Sequence, residues 1–308
     1  MPDIDINTPT QEVKEYASSV EDKMQNSVSE TIDEYDSDSQ NSVTYDGYND
    51  ITVSIKDKDT PIVILFGPKS CGKTMTLVRL SRYLKEQMYT VSPDRTFRDS
   101  GDKHYERMCR EFPNMINSDD AASSTNLISF MLASITRNGK KICQILEAPG
   151  ELYFDEDNPK KDYPTYINQI KNLSNRKIWI FMLEPDWKNE QDRQNYVDRI
   201  TDFAKNIRSK DSVILLMNKI DKSNLVIKVG VVNTSALFKE VKDSYPGILE
   251  PFVNKIPILN WFEKYRCRII PFQTGDYTVT DSGKMKYQKS DDIYPMMLWR
   301  AIRKIVRG

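Results

Sequence analysis

Eight consecutive residues, Gly67-Pro68-Lys69-Ser70-Cys71-Gly72-Lys73-Thr74, satisfy the pattern G-x-x-x-x-G-K-[ST] at every fixed position. Each residue type there has a reason. Glycines let the backbone curl until several N–H groups point at one place, which suits a chain of phosphates. Lys73 adds a cation for the β- and γ-phosphates, and the Thr74 hydroxyl is a hard oxygen suited to Mg2+. The run Gly67 to Thr74, with Met75 opening the next turn, is the expected phosphate-binding segment.

A second group, Asn218-Lys219-Ile220-Asp221, is suited to reading a base. Guanine offers an N1–H and an exocyclic amine side by side, and one carboxylate accepts from both. Adenine offers neither donor there and would leave the Asp221 oxygens unpaired, so such a site rejects it. Asn218 is expected to brace the loop and Lys219 to lie along the base plane.

These residues need elements to hold them. The apolar run 61–66 reads as a buried strand before the glycine loop, and residues 74–88 as a helix after it, which aims the positive helix end at a phosphate. Ile51–Ile55 reads as a short edge strand. Residues 89–124 show no clear period and read as a long connection with a short helix near Tyr105–Phe112. Leu127–Ile135 and Lys141–Leu146 flank Arg137-Asn138-Gly139-Lys140, a tight-turn sequence, and so predict a hairpin. Lys177–Leu183, Val213–Met217 and Arg268–Phe272 read as further strands. Tyr196, Ile200, Phe203 and Ile207 mark one helix face. Leu298, Ile302 and Ile305 mark a last helix, with Arg300, Arg303, Lys304 and Arg307 largely elsewhere on it. Alternation of this kind predicts an α/β fold, a mostly parallel sheet with one antiparallel hairpin strand and helices on both faces.

With the phosphate loop and N-K-x-D in this order, the chain resembles the Ras-like small GTPases of the translation-factor-related P-loop class, over roughly residues 60–306. The resemblance implies a three-layer P-loop NTPase fold that binds GTP or GDP with Mg2+. It also assigns further residues. Glu147-Ala148-Pro149-Gly150 stands where the family has D-x-x-G, so Glu147 takes the metal-holding place and Gly150 the place that senses the γ-phosphate. Thr125, 22 residues before Glu147, stands where the family has its switch threonine on metal and phosphate, with Ser123 and Ser124 as neighbours that could substitute. Glu151 occupies the position where hydrolysing members often carry a water-orienting Gln. The loop that contacts the guanine O6 falls on Thr274 and Gly275. Thr234-Ser235-Ala236 has the family's letters but follows Asp221 by only 13 residues, too few for the intervening helix. The stretch 222–264 is then longer than a minimal member requires, as in enlarged domains of bacterial GTPases related to this class. One of Arg95, Arg98, Arg107 and Arg110 in the first switch region is a candidate internal arginine finger.

The chain has 308 residues and a net charge of −1 that hides an asymmetry. Residues 1–50 hold 13 of the 45 acidic and 2 of the 44 basic side chains, a net of −11, so the remainder stands at +10. The acidic segment lacks apolar periodicity and reads as a disordered tail on a P-loop domain spanning 51–308. Four widely spaced cysteines form neither a zinc pattern nor a disulfide framework, which suits a reducing cytoplasm. No apolar run is long enough to span a bilayer, and no nucleic-acid or membrane module is recognisable. The expected partners are a guanine nucleotide and a protein effector or regulator. Three functional readings follow: a nucleotide-controlled switch with slow Mg-dependent GTP hydrolysis; a scaffold with a GTPase fold and little turnover, which Glu147 and Glu151 favour; and an ATP-dependent P-loop enzyme, which shares only the loop and which Asn218–Asp221 argues against.

Overall fold

The central strand β1 (Ile62–Phe66) is buried along its whole length and lies between two parallel neighbours, β4 (Lys140–Glu147) and β5 (Lys177–Leu183). A strand covered on both faces is apolar nearly throughout, which is why Ile62–Phe66 and residues 178–183 read as continuous hydrophobic segments rather than alternating ones. This computed structural model describes residues 53–117, 130–148, 150, 153–187, 189–228, 230–254, 265–279 and 285–307, all belonging to one structural unit. With β2 (Thr90–Pro93), β3 (Met131–Arg137), β6 (Ser212–Met217) and β9 (Cys267–Pro271), the main sheet has the order β2-β3-β4-β1-β5-β6-β9. Only β3 runs against the others, since it pairs antiparallel with both β2 and β4 while the remaining pairs are parallel. The β3–β4 turn is made by Asn138 at φ 52° and Gly139 at φ 73°, the two left-handed residues a tight hairpin needs.

Helices cover both faces of this α/β sheet, the three-layer arrangement of P-loop NTPases. On one face α1 (Lys73–Glu86) packs against α2 (Lys103–Asn117) and the last helix. On the other, the rings of Phe66, Phe181 and Trp179 meet Phe203 of α4 (Glu190–Ala204), and α3 (Thr165–Asn172) adds Tyr166 against Phe130. After β6 come a small ribbon of β7 (Val226–Lys228) and β8 (Val231–Val232), then α5 (Thr234–Ser244). After β9 come a second ribbon, β10 (Gly275–Val279) with β11 (Met285–Lys289), and α6 (Ile293–Arg307).

The stretch 89–117 differs from its sequence reading. It contains the edge strand β2 and a 15-residue helix, α2, whose buried Tyr105, Met108, Cys109, Phe112, Met115 and Ile116 recur at helical spacing. Pro113 lies within this helix, and Asp102 starts it by accepting the Tyr105 N–H at 2.8 Å. Of the Ile51–Ile55 strand, the described part makes one bridge, Val53 to Arg98. Ile207 lies beyond the end of α4. The β10–β11 ribbon has no counterpart in the sequence reading.

Candidate functional site

The glycine loop leaves β1 and turns straight into α1. Ser70 at φ 61° and Gly72 at φ 88° take the left-handed conformation, which curls the backbone around one point. Lys73 is 5% exposed, and its ammonium donates to the Gly67 carbonyl at 3.1 Å and the Pro68 carbonyl at 2.6 Å. Its charge thus stands inside the loop. Cys71 is buried and its thiol is pushed above its ordinary range by burial, so it is a packing residue rather than a reactive one. Met75 is also buried and packs on Tyr287. Lys69 and Ser70 are exposed along the loop, and Pro68 is buried.

Beside the loop, the Thr74 hydroxyl donates to Glu147 Oε1 at 3.0 Å, and Glu147 is 2% exposed. One threonine oxygen and one carboxylate oxygen held together beside a phosphate loop form a hard-oxygen pair that fits Mg2+, which is usually held by one or two protein oxygens plus substrate phosphates. The Glu147 side chain, one methylene longer than Asp, reaches Thr74 directly. Among the described residues no cluster of three metal-ligating side chains occurs.

Gly150 comes against the loop from the end of β4. A Cβ there would lie 2.2 Å from the Pro68 carbonyl carbon and 2.3 Å from the Lys69 nitrogen, so only glycine fits. Thr125 and Glu151 lie outside the described residues. Of the arginines in the first switch region, buried Arg98 is ion-paired with Asp102, and Arg107 with Glu111 at 2.9 Å.

The second motif reaches the first. Asn218 follows β6, is 1% exposed, and its side-chain amide donates to the Cys71 carbonyl at 2.9 Å. Lys219 sits at φ 52° and its ammonium bonds Glu184 Oε2 at 2.8 Å. Glu184 is itself held, because the Tyr245 hydroxyl donates to its carbonyl at 2.7 Å and accepts its N–H at 2.9 Å. Asp221 lies in the 3-10 turn Ile220–Lys222. Partial desolvation raises its carboxyl above the ordinary range, its own backbone N–H opposes that, and nearby Asp276 and Asp186 add to the rise.

The Thr274 loop stands beside this turn. Phe272 donates its N–H to the Met217 carbonyl at 2.7 Å, and Ile220 donates to the Phe272 carbonyl at 3.2 Å. Thr274 is buried and its carbonyl accepts the Tyr287 hydroxyl at 2.7 Å, while Gly275 opens β10 opposite Lys289. Thr234-Ser235-Ala236 instead begins α5, capped by Asn233, and is not a loop at all. Tyr287, Tyr245 and Glu184 are the positioning residues that sequence reasoning missed. Their only signal is spatial, since each acts on the site from a separate element.

No family model matches the chain, and no curated protein matches it. Among solved structures, similarity is found to a nucleolar GTP-binding protein 1 from Plasmodium falciparum, with 13% identity, 83% of this chain and 90% of that one covered, and a TM-score of 0.41. Roco2 RocCORdC of Methanosarcina barkeri bound to GDP shares 14% identity over 82% of this chain and 51% of its own, with a TM-score of 0.33. Translation elongation factor SelB from Methanococcus maripaludis, in complex with a GTP analogue, shares 12% over 71% of this chain and 31% of its own, with a TM-score of 0.30. The chemistry of the site therefore rests on its own residues.

Proposed function

We propose that the chain is a guanine-nucleotide-binding switch that hydrolyses GTP slowly. The observation that carries this reading is the Asn218 amide on the Cys71 carbonyl at 2.9 Å, which ties the turn at residues 218–221 to the glycine loop. In this reading loop N–H groups and Lys73 hold the phosphates, Asp221 accepts from the guanine N1–H and amine, Lys219 flanks the base plane, and the Thr274–Gly275 backbone meets its O6. Thr74 and Glu147, with Thr125, would hold Mg2+, which supplies charge neutralisation at the β- and γ-phosphates. Gly150, packed against the Pro68–Lys69 backbone, would report the γ-phosphate. A water attacks the γ-phosphorus, the bond to the β-phosphate oxygen breaks, and GDP and phosphate leave. A carboxylate at position 151 would accept from that water but repel the phosphate charge, hence the slow rate.

The second reading, a nucleotide-holding scaffold with little turnover, draws on the direct Thr74–Glu147 contact at 3.0 Å, which engages the metal-holding oxygens with each other. A competition titration tests the common ground. A fluorescent GDP analogue bound to the purified chain is expected to be displaced by GTP and GDP and not by ATP. Equal displacement by ATP would defeat the guanine reading and leave a general P-loop site. Single-turnover phosphate release from labelled GTP then separates switch from scaffold.

A further inference from the structure

A cleft of about 510 Å³ opens at the far end of α1 from the phosphate loop, between Tyr83 and Gln87 of α1, Tyr89, Arg137 at the end of β3, and Trp299, Arg300, Arg303, Lys304 and Arg307 of α6. α1 has 14 residues, which puts about 20 Å between the two places. The cleft therefore lies apart from the nucleotide site.

Its charge is one-sided. Among the described residues none of Arg137, Arg300, Arg303, Lys304 and Arg307 takes part in an ion pair. Two of these cations converge on one neutral atom, because the Tyr89 hydroxyl oxygen accepts from Arg137 Nη1 at 3.2 Å and from Arg303 Nη1 at 2.6 Å. Both guanidinium groups also lie over the Tyr89 ring, 4.8 and 5.9 Å from its centroid, which offsets part of their mutual repulsion and leaves an anion to offset the rest. Planar guanidinium forks match phosphate oxygens in pairs, which makes phosphate the natural relief.

The floor narrows the choice further. Tyr83, Tyr89 and Trp299 are 8%, 8% and 5% exposed, and Tyr89 and Trp299 meet edge to face at 5.1 Å. Rings closed in this way offer no platform for bases, which single-stranded nucleic acid would need. The volume is that of a small-molecule site. Between the lining residues Gln87 and Tyr89 in sequence, Met88 is 81% exposed and held at φ 63°, an apolar side chain left in solvent.

We propose that this cleft is a second anion site, taking a compact ligand that carries two or more closely spaced phosphate groups, either free or as the headgroup of a lipid. Arg137 and Arg303 grip the inner phosphate, and Arg300, Lys304 and Arg307 the outer ones.

The test uses the full chain with its nucleotide site saturated by GDP. Calorimetric titration with inositol hexakisphosphate and with pyrophosphate is expected to show saturable binding. Arg137→Gln with Arg303→Gln should weaken it about tenfold or more, as expected for loss of charge-assisted bonds. The same loss is expected from Arg300→Gln with Arg307→Gln, which leaves the Tyr89 contacts intact and so separates binding from folding. Displacement of the fluorescent GDP analogue should stay unchanged in both. Phosphatidylcholine vesicles with and without a phosphoinositide distinguish the sources. Phosphoinositide-dependent binding that Met88→Ser reduces marks a lipid headgroup, and binding of soluble polyphosphate alone marks a free ligand. Absence of saturable binding in every arm, binding untouched by both double variants, or tighter binding to single-stranded RNA than to inositol hexakisphosphate would overturn the proposal.

Discussion

The Asn218 side-chain amide donates to the Cys71 carbonyl across 147 residues of sequence, at 2.9 Å and fully out of solvent. Through this one bond the turn that would read the base fixes the curvature of the loop that would hold the phosphates. Gly72 must stay glycine for the same reason, since a Cβ there would stand 2.4 Å from the Asn218 amide nitrogen and the residue is at φ 88°.

Asn218→Ala is therefore expected to weaken GTP and GDP alike. Removing the donor leaves a buried carbonyl unpaired, worth about 1–3 kcal/mol, or roughly 5–150-fold in affinity. Stopped-flow release of a fluorescent nucleotide should show most of this in the dissociation rate. A loss confined to GTP would contradict the bracing role.

The Thr74–Glu147 pair makes a separate claim about metal. Chelation with EDTA should weaken GTP binding to the unaltered chain, and Glu147→Gln should remove most of that sensitivity while the fold survives, because the amide still accepts from the Thr74 hydroxyl. Equal EDTA sensitivity of the two proteins, read by nucleotide titration, would take Glu147 out of the metal site.

Gly150 supports a prediction about space. A Cβ at 2.2–2.3 Å from the Pro68–Lys69 backbone cannot be absorbed by rotating a side chain, because the obstacle is main chain. Gly150→Ala is expected to push the end of β4 off the loop, abolishing single-turnover phosphate release while GDP affinity falls by less than about tenfold. Phosphate release at the unaltered rate would remove Gly150 from its proposed role.

Much of this arrangement is legible in one dimension because its signals are local. The glycine loop announces itself between an apolar strand and an amphipathic helix, and Asn138-Gly139 marks the β3–β4 turn by the two left-handed residues it requires. The sequence reading catches only the middle of α2, near Tyr105–Phe112, because Pro113 argues against carrying a helix on to Met115 and Ile116, which this one nonetheless reaches. The β10–β11 ribbon carries polar side chains on short strands, and only the Tyr287 hydroxyl on the Thr274 carbonyl reveals why it follows the loop. Glu184 likewise has no pattern. It matters because Lys219 and Tyr245 converge on it from two other elements.

Asp57 ties the start of the described chain to the sheet. Burial raises its carboxyl, but bonds from Thr60 and Lys141 outweigh this and bring it from 3.8 down to about 2. A carboxylate depressed by folding stabilises the fold fully above its unfolded value, and that contribution is lost as the pH falls from 3.8 toward 2. Asp57→Asn should cost about 1–2 kcal/mol near neutral pH, after allowance for its partial exposure, with the difference disappearing in strong acid. Urea melts of both proteins at several pH values check this.

Asp221 titrates in the opposite sense, and the sign carries the test. Its carboxyl is raised in the free protein by partial desolvation, with Asp276 and Asp186 adding to the rise. Only the ionised form accepts from both guanine donors, so binding must draw the carboxyl back down and release a proton when the pH is near its free value. Affinity for GDP should then fall as the pH drops through that raised value, while Asp221→Asn should bind guanine nucleotides weakly at every pH and lack this limb of the profile. Replacing Asp276 by Asn removes one of the raising charges and should shift the limb to lower pH without abolishing it. Parallel GDP titrations of the three proteins across the acidic range decide the matter. Identical profiles would mean that the base is read by some group other than Asp221.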